Sequence, residues 1–214
     1  MAALSGTGRV ADDLYLMAHH ETSGRPHLHP RAVGLGLAGA LLAELMLTGH
    51  VRVWCGEIVV ADAVPPEERL IGEVLRLVLS EHERHSARDW LAFLARTAAR
   101  DVARRLERSG YLSQLSARRP WRAVRWVPVN AECAFAPIVR VKSVLDPSRP
   151  VPETSAVLAG LAAACGLGSR LALYLPPGTR RRLDDAVGRL DPGLNELIAQ
   201  TQAAVDSAVL SHRV

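Results

Sequence analysis

The stretch from Ala32 to Gly49, AVGLGLAGALLAELMLTG, limits what this chain can fold into more than any other. It is too apolar for a surface helix. A membrane span takes roughly 20 apolar residues, whereas this run is shorter, carries Glu44 and follows Pro30. It reads as a buried central helix that other helices must cover. Within it, Gly34, Gly36 and Gly39 spell a literal G-x-G-x-x-G, with a Val-rich segment and Asp62 further on. A dinucleotide site needs a hydrophobic strand feeding directly into the first glycine, because the phosphates sit at the strand-to-helix turn. What precedes Gly34 is His27-Leu-His-Pro-Arg-Ala-Val33, a poor central strand because Pro30 has no ladder donor. The glycines are therefore read as small residues that let helices approach closely.

Covering such a helix takes an aliphatic body. Hydrophobic residues make up 49% of the 214 and aromatics only 4%, no long polar linker divides the chain, and the length suffices for a substantial core. The expectation is a mainly α protein: a single globular helical domain around the buried central helix, with short β-hairpins. Residues 1–11 are assigned to a flexible N-terminus and 12–214 to the domain. The opening MAALSGTGR lacks the basic start and apolar run of a secretory signal, which makes a cytoplasmic location the default. Cys55, Cys133 and Cys165 are odd in number, match no zinc or redox spacing, and are expected as reduced, buried thiols.

In chain order, Val10 to His20 reads as a helix with Asp12 and Asp13 at its positive end, and Glu21 to Pro30 as a loop. His50–Trp54 and Ile58–Ala61 form a hairpin around Gly56-Glu57. Pro65-Pro66 starts a helix carrying Leu70, Ile71, Val74, Leu75 and Val78. One helix is expected from Asp89 to Ser109, then a hairpin of Tyr111–Leu115 and Trp121–Val127. Pro128 to Pro152 reads as irregular apart from a short element at Ile138–Leu145, and helices resume at Thr154–Cys165, from Arg180, and at Gly193–Leu210.

No catalytic constellation emerges. Asp12-Asp13, Glu67-Glu68 and Asp184-Asp185 are consecutive pairs whose members point to different helix faces, and no G-x-S-x-G elbow occurs. Neither an enzyme nor a cofactor is expected. His19, His20, His27 and His29 have no Asp, Glu or Cys at a metal-binding spacing and read as solvent-exposed loop histidines. His82 and His85 lack the H-E-x-x-H pattern and read as a solvated helix end.

The informative surface begins at Asp89. Leu91, Leu94, Ala95, Ala98, Val102 and Leu106 make an apolar face, while Arg96, Arg100, Arg104 and Arg108 recur every four residues along one stripe. From Arg96 to Arg149 there are 12 Lys and Arg against 4 Asp and Glu, a net +8, and the remainder of the chain carries −4. The modest total of +4 hides a polarised molecule. Trp121 and Trp126, with Arg118, Arg119 and Arg122 beside them, mark the following hairpin as a membrane-contact element: indoles suit headgroup level and guanidinium groups contact phosphate. Each basic residue near an acidic leaflet adds about 1 kcal/mol, so a set of four to six gives reversible binding.

Gly36-Leu-Ala-Gly39-Ala-Leu-Leu-Ala-Glu44-Leu-Met-Leu-Thr-Gly49-His-Val51 resembles the signature of the Golgi phosphoprotein 3 family, G-L-x-G-x-x-L-x-E-L-x-L-x-G-x-hydrophobic. Asp13-Leu-Tyr-Leu-Met-Ala18 resembles its opening leucine-rich segment, and Pro65-Pro-Glu-Glu-Arg-Leu70-Ile-Gly-Glu-Val-Leu75 stands where the family has P-x-G-D-x-L-L-D-x-x-L. Trp90-Leu91 with Leu94 is similar to its W-I-x-x-L, and Leu106-Glu-Arg-Ser-Gly110-Tyr-Leu112 to its L-x-x-x-G-hydrophobic-L. The similarity covers about residues 12 to 205, and the Ala/Arg-rich composition fits a bacterial, actinobacterial-type member.

The resemblance implies a mainly helical peripheral membrane protein that binds phosphatidylinositol 4-phosphate through a basic pocket. It also implies a hairpin that aids membrane insertion and self-association. Partners would be an anionic membrane lipid and a second copy of the chain; the Golgi glycosyltransferase tails bound by eukaryotic members do not apply to a bacterium. Carried over residue by residue, the family's pocket tryptophan falls near His29 and its G-L-R-G arginine on Ala38. Its two helix arginines fall on Arg96 and on Ala99, beside Arg100. The expected headgroup-binding set is thus His29, Arg96, Arg100 and Arg104, at the inner face of a membrane. The rival from another class is a winged-helix nucleic-acid binder, which also places a basic helix before an Arg/Trp hairpin; a preceding helix of about 20 residues argues against it, and no nucleic acid is expected.

Overall fold

The chain wraps six helices around one. A computed structural model describes residues 7–115, 124–143, 151–169 and 179–210, and among these it contains nine helices and two antiparallel two-stranded sheets. The central helix, α2 (Pro30–Leu47), packs against α1 (Val10–Ala18), α3 (Arg69–Ser80), α4 (Ala87–Leu94), α5 (Ala98–Arg108), α7 (Glu153–Ala164) and α9 (Pro192–Leu210). It is 78% buried inside the body, and Leu37, Leu41, Leu42 and Leu45 are sealed completely. Each such leucine contributes about 1.5–3 kcal/mol of burial free energy.

The glycine reading holds, with a separate contact for each residue. A Cβ on Gly36 would collide with Cys165 Sγ on the segment after α7, and one on Gly39 would lie 2.6 Å from Thr201 Oγ1 on α9. One on Gly34 would lie 2.6 Å from the Ala95 carbonyl oxygen. The G-x-G-x-x-G is therefore a packing device on three sides of α2. Pro30 occupies the first turn, where a missing N–H costs nothing, and His29 caps it by accepting from the Arg31 N–H at 3.3 Å. Gly49, at φ +80°, closes the helix, with its N–H on Met46 and that of His50 on Leu45.

The first hairpin pairs β1 (Val51–Trp54) with β2 (Glu57–Val60) through a turn at Cys55-Gly56, both at positive φ. The second pairs β3 (Leu112–Leu115) with β4 (Arg125–Pro128), Leu112 opposite Pro128 and Leu115 opposite Arg125. Helix α6 (Ala131–Ser143) follows, then α7, α8 (Thr179–Val187) and α9.

Several expectations need correction. Val10 and Ala11, assigned to a flexible N-terminus, belong to α1 and are buried in the core. Helix α3 begins at Arg69 rather than at Pro65-Pro66, because the Glu68 carboxylate takes the Ile71 N–H and so acts as the cap. The single helix expected over Asp89–Ser109 is two, separated by a tight turn in which the N–H groups of Arg96 and Thr97 reach back three residues to Phe93 and Leu94. The turn's Ala95 carbonyl is the group seated against Gly34. The stretch read as irregular after Pro128 contains the 13-residue α6, with Pro137 inside it. Of the cysteines only Cys165 is buried, and Cys55 is exposed. His19 is half-buried, its ring stacked on Tyr15 at 3.9 Å, rather than solvated in a loop.

Candidate functional site

Two groups of charged residues meet on α5. The first is interior. Arg105 lies on the same face as Ala98, Val102 and Leu106 and is only 2% exposed. Its Nε donates to Asp12 Oδ1 at 2.7 Å, Nη1 to Glu44 Oε2 at 2.9 Å and to Glu68 Oε2 at 3.1 Å, and Nη2 to Glu44 Oε1 at 3.2 Å. Glu44 Oε1 also receives the Ala11 N–H at 2.8 Å. One guanidinium thus ties α1, α2, the α3 cap and α5 together.

Three carboxylates share that one cation, and Asp12 Oδ2 is buried with no hydrogen-bond partner. Burial, reinforced by Glu44 and opposed by Arg105, pushes the Asp12 carboxyl up to about 6. Burial works against the Arg105 charge as well, but Glu44 and Asp12 outweigh it and hold its proton above the ordinary arginine range. For Glu68, burial is outweighed by the Ile71 N–H and Arg105, which hold its carboxyl below the usual value.

The second group is open. A cleft of about 360 Å³ is lined by Tyr15, His19, Gly24, Arg25, Pro26, Ala99, Arg100, Val124, Arg125 and Trp126. Its walls come from the end of α1 and the loop after it, the first turn of α5, and β4. The loop is folded by the His20 N–H on the Arg25 carbonyl, the Gly24 N–H on His20 and the His27 N–H on Ala18. Gly24, at φ +61°, lies so close to the Trp126 carbonyl that no Cβ fits, and that approach brings the loop against the hairpin. Trp126 is half-buried and its indole N–H donates to Glu107 Oε2 at 3.2 Å, so the ring stands as a fixed wall.

Arginines from three segments border this cleft. Arg100 Nε bonds Asp101 Oδ1 at 3.1 Å, an exposed pair, while Arg25 and Arg125 have no carboxylate partner among the described residues. The cleft therefore carries an excess of positive charge over aromatic walls, an arrangement suited to a phosphate.

Of the residues singled out from the sequence, Arg100 and Trp126 line the cleft, Trp126 as a half-buried wall. Arg96 lies in the turn between α4 and α5, exposed, and Arg104 is exposed further along α5; neither lines it. His29 caps α2 and does not reach the cleft either. Ala38, at the family's arginine position, is fully enclosed within the body, whereas Ala99 does line the cleft. Trp121, Arg118, Arg119 and Arg122 lie outside the described residues. Arg25, Arg125, Tyr15 and His19 were not foreseen, because only the approach of the loop to the hairpin gathers them. Arg105 did leave a signal: it sits three residues after Val102, on the apolar face, and Glu44 in an apolar helix demands a cation.

The molecule is a helical domain with a hairpin-bordered basic cleft at one edge. The Golgi phosphoprotein 3 (GPP34) family model matches residues 10–210, nearly the whole chain, and the chain belongs to that family. No match is found among curated proteins.

Proposed function

We propose that this protein is a peripheral membrane protein that binds acidic phospholipid headgroups, in the manner of phosphatidylinositol 4-phosphate recognition, and acts as a binding protein rather than an enzyme. The observation that carries the reading is the convergence of Arg25, Arg100 and Arg125 on one cleft. At the end of the hairpin where the connection between β3 and β4 begins and ends, Leu115 and Val124 are 41% and 50% exposed, which supports an apolar contact with acyl chains beside a charged contact with headgroups. Exposed Arg96, Arg104 and Arg108 extend the basic surface, each adding about 1 kcal/mol near an acidic leaflet. The site of action is the inner face of a membrane, and the hairpin is a surface for self-association.

A second reading gains from the break before α5. The helix ahead of the hairpin has 11 residues, not about 20, so the order α4, turn, α5, hairpin is compatible with a winged-helix nucleic-acid binder. Against it, Arg25 and Arg125 turn toward a concave site instead of extending an outward helix face. Vesicle flotation beside a salt titration on duplex DNA separates the two. Flotation on phosphatidylcholine vesicles that contain an acidic phospholipid, but not on phosphatidylcholine alone, supports lipid binding; duplex binding that falls steeply with salt, without flotation, overturns it.

A further inference from the structure

His19 sits inside the cleft with one ring nitrogen engaged and one available. Its Nδ1 is 2.8 Å from the Tyr15 carbonyl oxygen. A carbonyl can only accept, so Nδ1 carries the proton. Stacking on the Tyr15 ring fixes the imidazole plane. With Nδ1 protonated and the ring neutral, Nε2 is a pure acceptor, and among the described residues it has no protein partner. Burial keeps the ring neutral, lowering it to about 4 against the opposing effect of the Tyr15 bond.

The charged side chains of the cleft are donors only: Arg25, Arg100 and Arg125 supply N–H groups and positive charge. A phosphate offers oxygens to the arginines and, as a fully ionised monoester or an ionised diester, has nothing to donate to His19. A hydroxyl close to that phosphate does. We infer that His19 is a specificity-determining residue of the cleft, accepting a hydrogen bond from a hydroxyl group borne next to the ligand's phosphate, so that phosphorylated polyols are preferred over simple phosphate esters. The inference rests on the anion-binding reading above; it adds the discrimination between headgroups that share a charge.

The test compares vesicles of phosphatidylcholine mixed with phosphatidylmethanol, phosphatidylglycerol or phosphatidylinositol, all singly charged diesters that differ in hydroxyl content. The wild type is expected to bind the two hydroxylated headgroups several-fold to tenfold more tightly than phosphatidylmethanol, which is what one net hydrogen bond supplies. His19→Asn keeps a donor for the Tyr15 carbonyl but removes the acceptor at Nε2, and should erase the preference while leaving phosphatidylmethanol binding intact. His19→Gln places a carbonyl oxygen near Nε2 and should restore it. Equal binding of the three headgroups by the wild type, or a preference that survives in His19→Asn, overturns the inference while leaving the lipid reading standing. Calorimetry with soluble inositol 1-phosphate against methyl phosphate reads the same preference without a membrane. A wild type that floats on none of the vesicles yet prefers inositol 1-phosphate fails the lipid reading and keeps the inference, with a free phosphorylated polyol as ligand; no preference there overturns it.

Discussion

Arg100 and Arg105 stand five residues apart on α5, about 140° around the helix, and that rotation separates two kinds of site. Arg105 faces three carboxylates inside the body and is saturated by them. Arg100 faces a cleft where it is joined by Arg25 and Arg125, and its one partner, Asp101, is only half-buried. The interior cluster has more negative than positive charge; the cleft has the reverse. An arginine surrounded by carboxylates holds a fold together, whereas the cleft arginines carry the proposed anion binding. Substitutions should divide accordingly, into those that cost stability and those that cost binding.

The largest effect is expected at Arg105. Arg105→Met strands the buried carboxylates of Asp12 and Glu44 without a cation and should lower the unfolding free energy by about 3–5 kcal/mol, read by denaturant titration. Next comes pH. The folded-state pKa of Asp12 is raised from 3.8 to about 6, so the folded chain takes up a proton that the unfolded chain does not. The resulting stabilisation is fully present below the unfolded value and is lost as pH rises through about 6. Unfolding free energy should therefore fall by up to about 3 kcal/mol between pH 4 and pH 7 from this residue, and Asp12→Asn should flatten that slope. Glu68, held below its usual value, works the other way, its contribution being lost as pH falls through its lowered pKa.

Gly24→Ala sits between the two kinds of site. A methyl group there meets the Trp126 carbonyl at a backbone angle unfavourable to alanine, costing about 1–3 kcal/mol and displacing the loop that carries Arg25. Both thermal stability and vesicle binding should drop. Smallest in stability are the cleft arginines themselves: Arg25→Glu, Arg100→Glu and Arg125→Glu should each change unfolding free energy by no more than about 0.5 kcal/mol, because no buried pair is broken.

How much of this was legible depended on whether a signal was local. The all-round apolarity of Ala32–Gly49 announced a buried helix, and the His27–Val33 segment correctly ruled Gly34, Gly36 and Gly39 out of a phosphate loop. The α4–α5 break was not legible, because apolar spacing runs through Leu91, Leu94, Ala98 and Val102 without a gap; the Ala95 carbonyl seated on Gly34 marks it only in three dimensions. Pro137 disguised α6 as a loop. Arg105 falls within the basic count from Arg96 to Arg149 although its position on the apolar face places it inside. The cleft was half legible: Arg100 came from the stripe, but Arg25 reaches it only because Gly24 abuts Trp126.

The most direct test of the account is flotation of the triple variant Arg25→Glu, Arg100→Glu, Arg125→Glu on acidic vesicles, with its thermal transition recorded alongside. The wild type should float on acidic but not on neutral vesicles, and the variant should stay at the bottom of the gradient while unfolding near the wild-type temperature. Flotation of the variant equal to that of the wild type would contradict the cleft as the seat of binding.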